Sequence, residues 1–331
     1  MRPAQSIPNV ASATGESPLN KLPSKLRKAK YRISAVGRAR RWQDLPLPLP
    51  PGVTEEQMRA LIASIIIDGA PTSALDGYSH EAFGRFLRTL DLARGLTGST
   101  LELGANPYFL TVLLKRFTTL DLTLANFFGE ASAELLTQQV RFSDIDAAAP
   151  QALALESHLF DAEADVFPFP DDTFDLVFFC EIVEHMTDDP LATLRQINRV
   201  LKPDGHLILT TPNMVRLENV ARVMLGENVY DPYSAHGPHG RHNREYTCRE
   251  LAMLVRYAGF EVETMFTADS HVGSKNLAAV VARAGGISHS RALELGQYIF
   301  VRARRIGPGR TLRPSFLYRS YPAGAVEESA D

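Results

Sequence analysis

Between residues 99 and 303, short apolar runs alternate with amphipathic, capped helical segments. A chain with that alternation folds most readily as a largely parallel sheet covered by helices on both faces. The run Asp-Leu-Val-Phe-Phe-Cys at 175–180 is almost wholly apolar, as a central strand buried on both sides must be. Residues 191–201 form an amphipathic helix with Asp189 as its cap and Pro190 at its first position, and Lys202, Pro203, Asp204 and Gly205 end it. Further strands are expected at 100–104, 120–127, 155–160, 206–211, 260–266 and 297–303. A helix is expected at 107–117. A Thr247/Glu250 capping box opens another, and Gly259 closes it.

Upstream, Thr54 and Gln57 form a second capping box ahead of the apolar run 58–67, which Gly69 and Pro71 stop. A helix at 81–93, with Ser79 as its cap, follows. The expected organisation is a basic, Pro-rich disordered tail and linker at 1–52 and a helical extension at 53–97. An α/β domain at 98–305 and an irregular tail at 306–331 complete it. The basic cluster between Lys21 and Arg41 reads as a solvated arm capable of weak contact with an anionic surface; an organellar leader shares its composition. The formal net charge of the 331 residues is −3, which does not call for nucleic acid as a partner. Two cysteines, Cys180 and Cys248, exclude a disulfide framework and suit a reducing cytoplasm. No apolar run is long enough to span a bilayer.

In an open α/β sheet, ligands sit beyond the carboxyl ends of the strands. Four such ends carry chemistry-bearing residues. Glu102 and Gly104 lead through Asn106 and Pro107 to Tyr108; Gly104 permits close approach of a ligand, and Asn106 is a candidate helix cap. Asn126 ends the second strand, either holding a ligand hydroxyl or simply forming a turn. Asp161, followed by Ala162, could accept from an amino group, or belong to a solvated acidic loop. Beyond Cys180 come Glu181 and His185. His185 is a candidate general base, with a structural hydrogen bond to backbone as the competing reading.

Taken together, these segments resemble the class I S-adenosylmethionine-dependent methyltransferases, particularly the broad group that includes quinone-biosynthesis and small-molecule enzymes. The most specific stretch is DAEADVFPFPDDTFDLVFFCEIVEHMTDDPLATLRQINRVLKPDGHLILTTPN at 161–213, supported by NREYTCRELAMLVRYAGFEVE at 243–263. The resemblance implies a Rossmann-like, mostly parallel sheet of seven strands in the order 3-2-1-4-5-7-6, with S-adenosyl-L-methionine as cofactor. It implies that Glu102 and Gly104 line the methionine part of the cofactor and that Asn126 falls near the ribose position. Asp161 and Ala162 would contact adenine, and Cys180 and Glu181 would flank the methyl donor. Two departures stand out. Asn106 and Tyr108 replace the family's second and third glycines. Asn126 stands where an acid is expected, unless Asp121 serves.

The insertion at 213–246 is long, aromatic and polar, in keeping with a substrate lid. Its Tyr230, Tyr233, His239 and Arg244 are candidate acceptor contacts, and His242 joins His185 as a candidate catalytic residue. The spacing of His236, His239 and His242 invites a metal, but Gly237, Pro238 and Gly240 break any helical ligand face, so none is expected. The resulting expectation is O-methylation of a hydroxylated small molecule or glycan-linked acceptor. N-methylation and a non-catalytic cofactor-binding protein are the alternatives. A nicotinamide oxidoreductase is disfavoured by the absence of G-x-G-x-x-G.

Overall fold

The computed structural model describes residues 45–70, 72–271, 294–322 and 324–328. The basic cluster at 21–41 lies outside them. Three parallel strands form the middle of the sheet: β2 (Gly98–Leu103), β3 (Leu120–Asn126) and β6 (Phe174–Cys180). Leu103 lies level with Ala125 on one side and with Phe179 on the other, so three strands end at the same height. Outside β3 lies β5 (Gln151–Leu159), parallel to it; outside β6 lies β7 (Leu201–Pro212), also parallel. Beyond β7, the strands β9 (Tyr298–Arg305) and β8 (Phe260–Ala268) complete that edge, β9 antiparallel to both neighbours. Numbered among these seven, the order is the expected 3-2-1-4-5-7-6.

Two further strands extend the other edge. The eleven-residue β4 (Ser132–Phe142) pairs antiparallel with β5, and the two-residue β1 (Ile66–Ile67) pairs antiparallel with β4, giving nine strands in all among the described residues. Strand β4 is absent from the sequence-based expectation. Its centre, Glu-Leu-Leu-Thr-Gln-Gln, is mostly exposed and polar, and its place at the edge comes from pairing with β5 rather than from an apolar pattern. The expected helix at 58–67 is also corrected. Helix α1 (Glu55–Ala63) stops at Ser64, and Ile66 and Ile67 join the sheet. The expected helix at 81–93 is α3 (Phe83–Leu92), and a separate helix, α2 (Thr72–Glu81), precedes it. Ser79 therefore lies inside α2, and the residue at the start of α3 is Ala82.

Three other caps form as the sequence indicates. In α1 the Thr54 hydroxyl accepts from Gln57 N–H and the Gln57 side chain accepts in return. Helix α7 (Cys248–Tyr257) carries the same reciprocal pair in Thr247 and Glu250. Each such cap is worth about 1 kcal/mol. Past α7, Gly259 has φ +93°, and a Cβ there would meet Gly307 O at 2.4 Å, so only glycine lets the chain pass into β8. Helix α5 (Pro190–Val200) is capped by Asp189, whose carboxylate accepts from Ala192 N–H.

Two apolar layers flank the sheet. On one face α5 and α7 pack over Val177, Phe179, Leu207 and Leu209; on the other α1, α3 and α4 (Phe109–Phe117) pack over Leu176, Phe178 and Ile208. The segments expected to be irregular are more closely docked than their composition suggests. Leu45, Leu47 and Leu49 pack on the second layer, and Arg88 donates to the carbonyls of Leu45 and Pro46. In the C-terminal tail, β10 (Arg313–Pro314) pairs with β11 (Val326–Glu327), and the buried Tyr318 donates its hydroxyl to Asp189 at 2.6 Å. The described residues contain no helix long and apolar enough to cross a membrane.

Candidate active site

Because β2, β3 and β6 end level, the residues just beyond them converge. Gly104, Asn126, Asp161, Ala162, Glu181 and His185 line one cavity of about 200 Å³, with Leu103, Ala125, Phe160, Ile182 and Met186 as its apolar walls. A smaller cavity of about 50 Å³ shares Leu103, Gly104 and Glu181 with it and is lined further by Glu102, Asn106 and Cys180. All eight residues expected at the cofactor thus border one of two adjoining cavities. Gly104 has φ +64°, a conformation that a residue with a Cβ adopts only at a cost of roughly 1–2 kcal/mol.

The turn after β2 differs from expectation. Asn106 does not cap α4; the residue before that helix is Tyr108, which has φ 64° and no side-chain cap bond. Asn106 N–H instead donates to Asn126 Oδ1 at 2.7 Å. The Asn126 amide group donates to Ser157 Oγ at 2.9 Å and to the Tyr108 hydroxyl at 3.1 Å, and Tyr108 donates on to Gln138 Oε1 at 2.7 Å. Asn126 is nearly buried, and both ends of its amide are engaged. Its side chain ties the turn at 104–106 to the end of β3. Tyr108, standing at a family glycine, supplies the other half of this network.

Glu102 is buried and accepts from the Thr111 hydroxyl at 2.8 Å. Burial pushes its pKa up to about 8, against the pull of that hydrogen bond, so near neutrality the carboxyl is largely protonated. The Cys180 thiol is likewise pushed up to about 12 by burial, so it serves as a wall rather than a nucleophile. Glu181 has φ 57°, accepts from Thr210 at 2.8 Å and forms an ion pair with the buried Arg85 of α3. Burial opposes the Arg85 charge, but Glu181, Tyr78, Tyr298 and Glu184 together outweigh it and hold the guanidinium pKa above its usual value. Arg85 also donates to the Tyr78 hydroxyl at 2.5 Å. Arg85 is not among the sequence candidates, because nothing local to α3 announces a partner roughly a hundred residues away. Asp161 accepts from Glu163 N–H at 2.8 Å, which holds one carboxylate oxygen beside the larger cavity.

The 213–246 insertion contains α6 (Leu217–Met224) and a short 3-10 turn at Pro238–Gly240. Its second half is stitched to another 3-10 turn, Val183–His185. Asn243 and Arg244 N–H groups donate to Glu184 O, and the Asn243 amide donates to His185 O at 2.8 Å. This brings His242 against His185, with ring centroids 5.0 Å apart and planes nearly perpendicular. Burial, then the nearby His242, holds the His185 pKa below its ordinary value. Burial works the same way on His242, but Glu245, Glu184 and Asp231 outweigh it and raise its pKa. His239 lines the larger cavity and meets the Phe127 ring edge-on. The other three candidate acceptor contacts do not reach that cavity. Tyr230 and Tyr233 are exposed, with Tyr233 beneath Arg241, and Arg244 pairs with Glu250 at 2.8 Å.

A sequence profile described as a methyltransferase domain matches residues 78–265, more than half of the chain. The chain belongs to this methyltransferase family. Among curated relatives, the ubiquinone/menaquinone biosynthesis C-methyltransferase UbiE of Vibrio parahaemolyticus is 38% identical over 79 residues, which are 24% of this chain and 28% of that protein. A Mycolicibacterium smegmatis protein described as a "probable S-adenosylmethionine-dependent methyltransferase" is 31% identical over 119 residues, 36% of this chain and 40% of its own. The chain therefore matches well under half the length of these relatives. The crystal structure of an S-adenosylmethionine-dependent methyltransferase from Archaeoglobus fulgidus superposes with a TM-score of 0.41 and 15% identity, over 67% of this chain and 91% of that one.

S-adenosylmethionine is the cofactor of this methyltransferase family, as the motifs at 161–213 imply. The residues present fit it. Leu103, Phe160, Ile182 and Met186 offer apolar faces for a flat base, Asp161 offers a carboxylate beside them, and Gly104 leaves room for close backbone approach. Such a mix of apolar wall and few polar groups is what a cofactor groove requires.

Proposed function

We propose that this protein transfers a methyl group from S-adenosylmethionine to the hydroxyl of a small molecule or glycan-linked acceptor. The cofactor, when bound, supplies a methyl carbon activated by a sulfonium. The chain's own residues hold the two reactants in line, and such positioning alone can supply much of the acceleration. Gly104, Asp161 and Ala162 orient the cofactor, Glu102 and Cys180 border its methionine end, and Asn126 keeps the turn at 104–106 in shape. The observation that carries the oxygen acceptor is His185, which lines the larger cavity and packs edge-on against His242. A hydroxyl must lose its proton as it attacks, and a neutral imidazole takes that proton; an amine nucleophile needs no such group. His239, lining the same cavity, is the acceptor contact favoured among the candidates.

The Vibrio relative is by name a C-methyltransferase, and the imidazole pair is the reason for favouring oxygen here. Calorimetric titration with S-adenosylmethionine, followed by transfer of labelled methyl to a panel of sugars, glycans and phenols, tests the reading. An ether product whose formation falls at least tenfold in the His185→Ala variant supports it. Cofactor binding with products only on nitrogen or carbon, or with no transfer to any acceptor, sinks it. The last outcome would favour a non-catalytic binder, a reading to which the engaged Asn126 amide lends some weight.

A further inference from the structure

We propose that Glu184, His185 and His242 form a binding site for one divalent first-row transition metal ion, zinc or a close relative, beside the cofactor cavity that His185 lines. The metal's task, though not its presence, rests on the hydroxyl acceptor proposed above.

Three donors, one from each residue, lie within 4.8 Å of one another. Glu184 provides the independent observation. Its side chain is completely buried, Oε2 accepts from the Thr211 hydroxyl at 2.9 Å, and Oε1 has no hydrogen-bond partner. A buried carboxyl oxygen left alone is costly, and a bound cation is one of the few things that relieves it. Oε1 lies 3.9 Å from His185 Nε2.

Both imidazoles are oriented as metal ligands are. His185 Nδ1 lies 3.0 Å from Arg241 O, to which it can only donate, so the neutral ring carries its lone pair on Nε2. His242 Nδ1 lies 3.0 Å from Glu245 Oε1, which in the same way turns the lone pair to Nε2. Ligating histidines typically donate their second N–H to a backbone carbonyl or a carboxylate, and one of each is present. Glu245 is itself held by Arg216, and Asp231 stands 3.7 Å from His242 Nδ1, so the outer groups are also fixed.

Two imidazoles and one carboxylate suit zinc, iron, cobalt or manganese better than magnesium, which prefers oxygen alone. Bonds of about 2.0–2.1 Å put tetrahedral donors roughly 3.3 Å apart, so the set would draw in by about 1 Å on loading. His185 and His242 sit on short turns and are partly exposed, which permits that. Three protein ligands leave a coordination position open, where an acceptor hydroxyl could bind and lose its proton more readily, and His185 is the ligand that borders the cavity. The histidine spacing that invites a metal in the sequence, His236 with His239 and His242, is not the one the fold assembles; only His242 is common to both.

The test is metal uptake by the full chain, stripped with chelator and titrated with zinc by calorimetry and with cobalt by visible absorption. The expected result is one equivalent bound, with a cobalt spectrum typical of nitrogen and oxygen ligands. His242→Ala should abolish it and Glu184→Gln should weaken binding at least tenfold, while His236→Ala changes nothing. If Glu184→Gln fails to fold, the partly exposed His242 decides the matter. No uptake by folded wild-type protein, or equal uptake by a His185→Ala/His242→Ala double variant, overturns the proposal. Metal binding without methyl transfer would leave this site standing and refute the acceptor reading; methyl transfer by a protein that binds no metal would do the reverse.

Discussion

Asn126 Oδ1 accepts the backbone N–H of Asn106 at 2.7 Å, joining two of the three positions at which this chain departs from its family's cofactor motif. The departures are therefore not independent losses. With glycine gone from position 106, the turn after β2 is held by a side chain from the next strand instead. Tyr108, at the third glycine position, braces that side chain through its hydroxyl.

Removing this brace should loosen the turn without touching the cofactor directly. Asn126→Ala leaves Asn106 N–H without its acceptor in a half-buried turn, while Ser157 Oγ keeps the Tyr108 hydroxyl, a loss of about 1–3 kcal/mol. Urea unfolding should show a lower midpoint by that amount, and calorimetry should show weaker binding of S-adenosylmethionine. Unchanged cofactor affinity in a destabilised variant would mean that the turn is rigid by other means.

Glu102 gives the stability of the fold a pH dependence of predictable sign. Its pKa in the folded chain is about 8, above the usual carboxyl value, so the folded state keeps a proton that the unfolded state has already lost. Below about pH 4.5 both states are protonated and the group contributes nothing to the slope. From there up to about pH 8 stability should fall, by at most about 1.4 kcal/mol per pH unit. Glu102→Gln should flatten that part of the profile and can still accept from Thr111. The difference between variant and wild type, measured by thermal melts from pH 5 to 8, isolates it from Asp269, whose carboxyl burial also raises, to about 7. Parallel profiles for the two proteins would rule out a protonated Glu102.

The Arg85–Glu181 pair ties the helical extension to the mouth of the site. Both side chains are largely buried, so Arg85→Met leaves a carboxylate without its counter-charge and should cost about 3–5 kcal/mol. Replacing both residues, Arg85→Met with Glu181→Gln, should recover part of that loss, because it is the stranded charge that is expensive. A double variant no more stable than the single one in chemical denaturation would show that the pair matters for packing rather than charge.

Features that a single segment dictates are legible in the chain itself. Alternating apolar runs, the Thr54 and Thr247 capping boxes, the Asp189–Pro190 helix start and Gly259 are signals of this kind, and each acts at the position its residues indicate. The family resemblance adds the strand order and the eight residues beside the two cavities. The pairing of distant segments is not legible in the same way. The exposed, polar β4 is held by its neighbour in the sheet, and Tyr318 reaches Asp189 from a tail without local pattern. The same is true of the site's acid–base groups. Residue type alone marks His185 and His242 as candidates, but backbone hydrogen bonds from Asn243 and Arg244 to Glu184 bring them together over a carboxylate. Sequence determines the period of each element and the residue at each strand end. Only the closed fold decides which side chains share a buried space, because desolvation and charge pairing depend on neighbours that the chain supplies from far away.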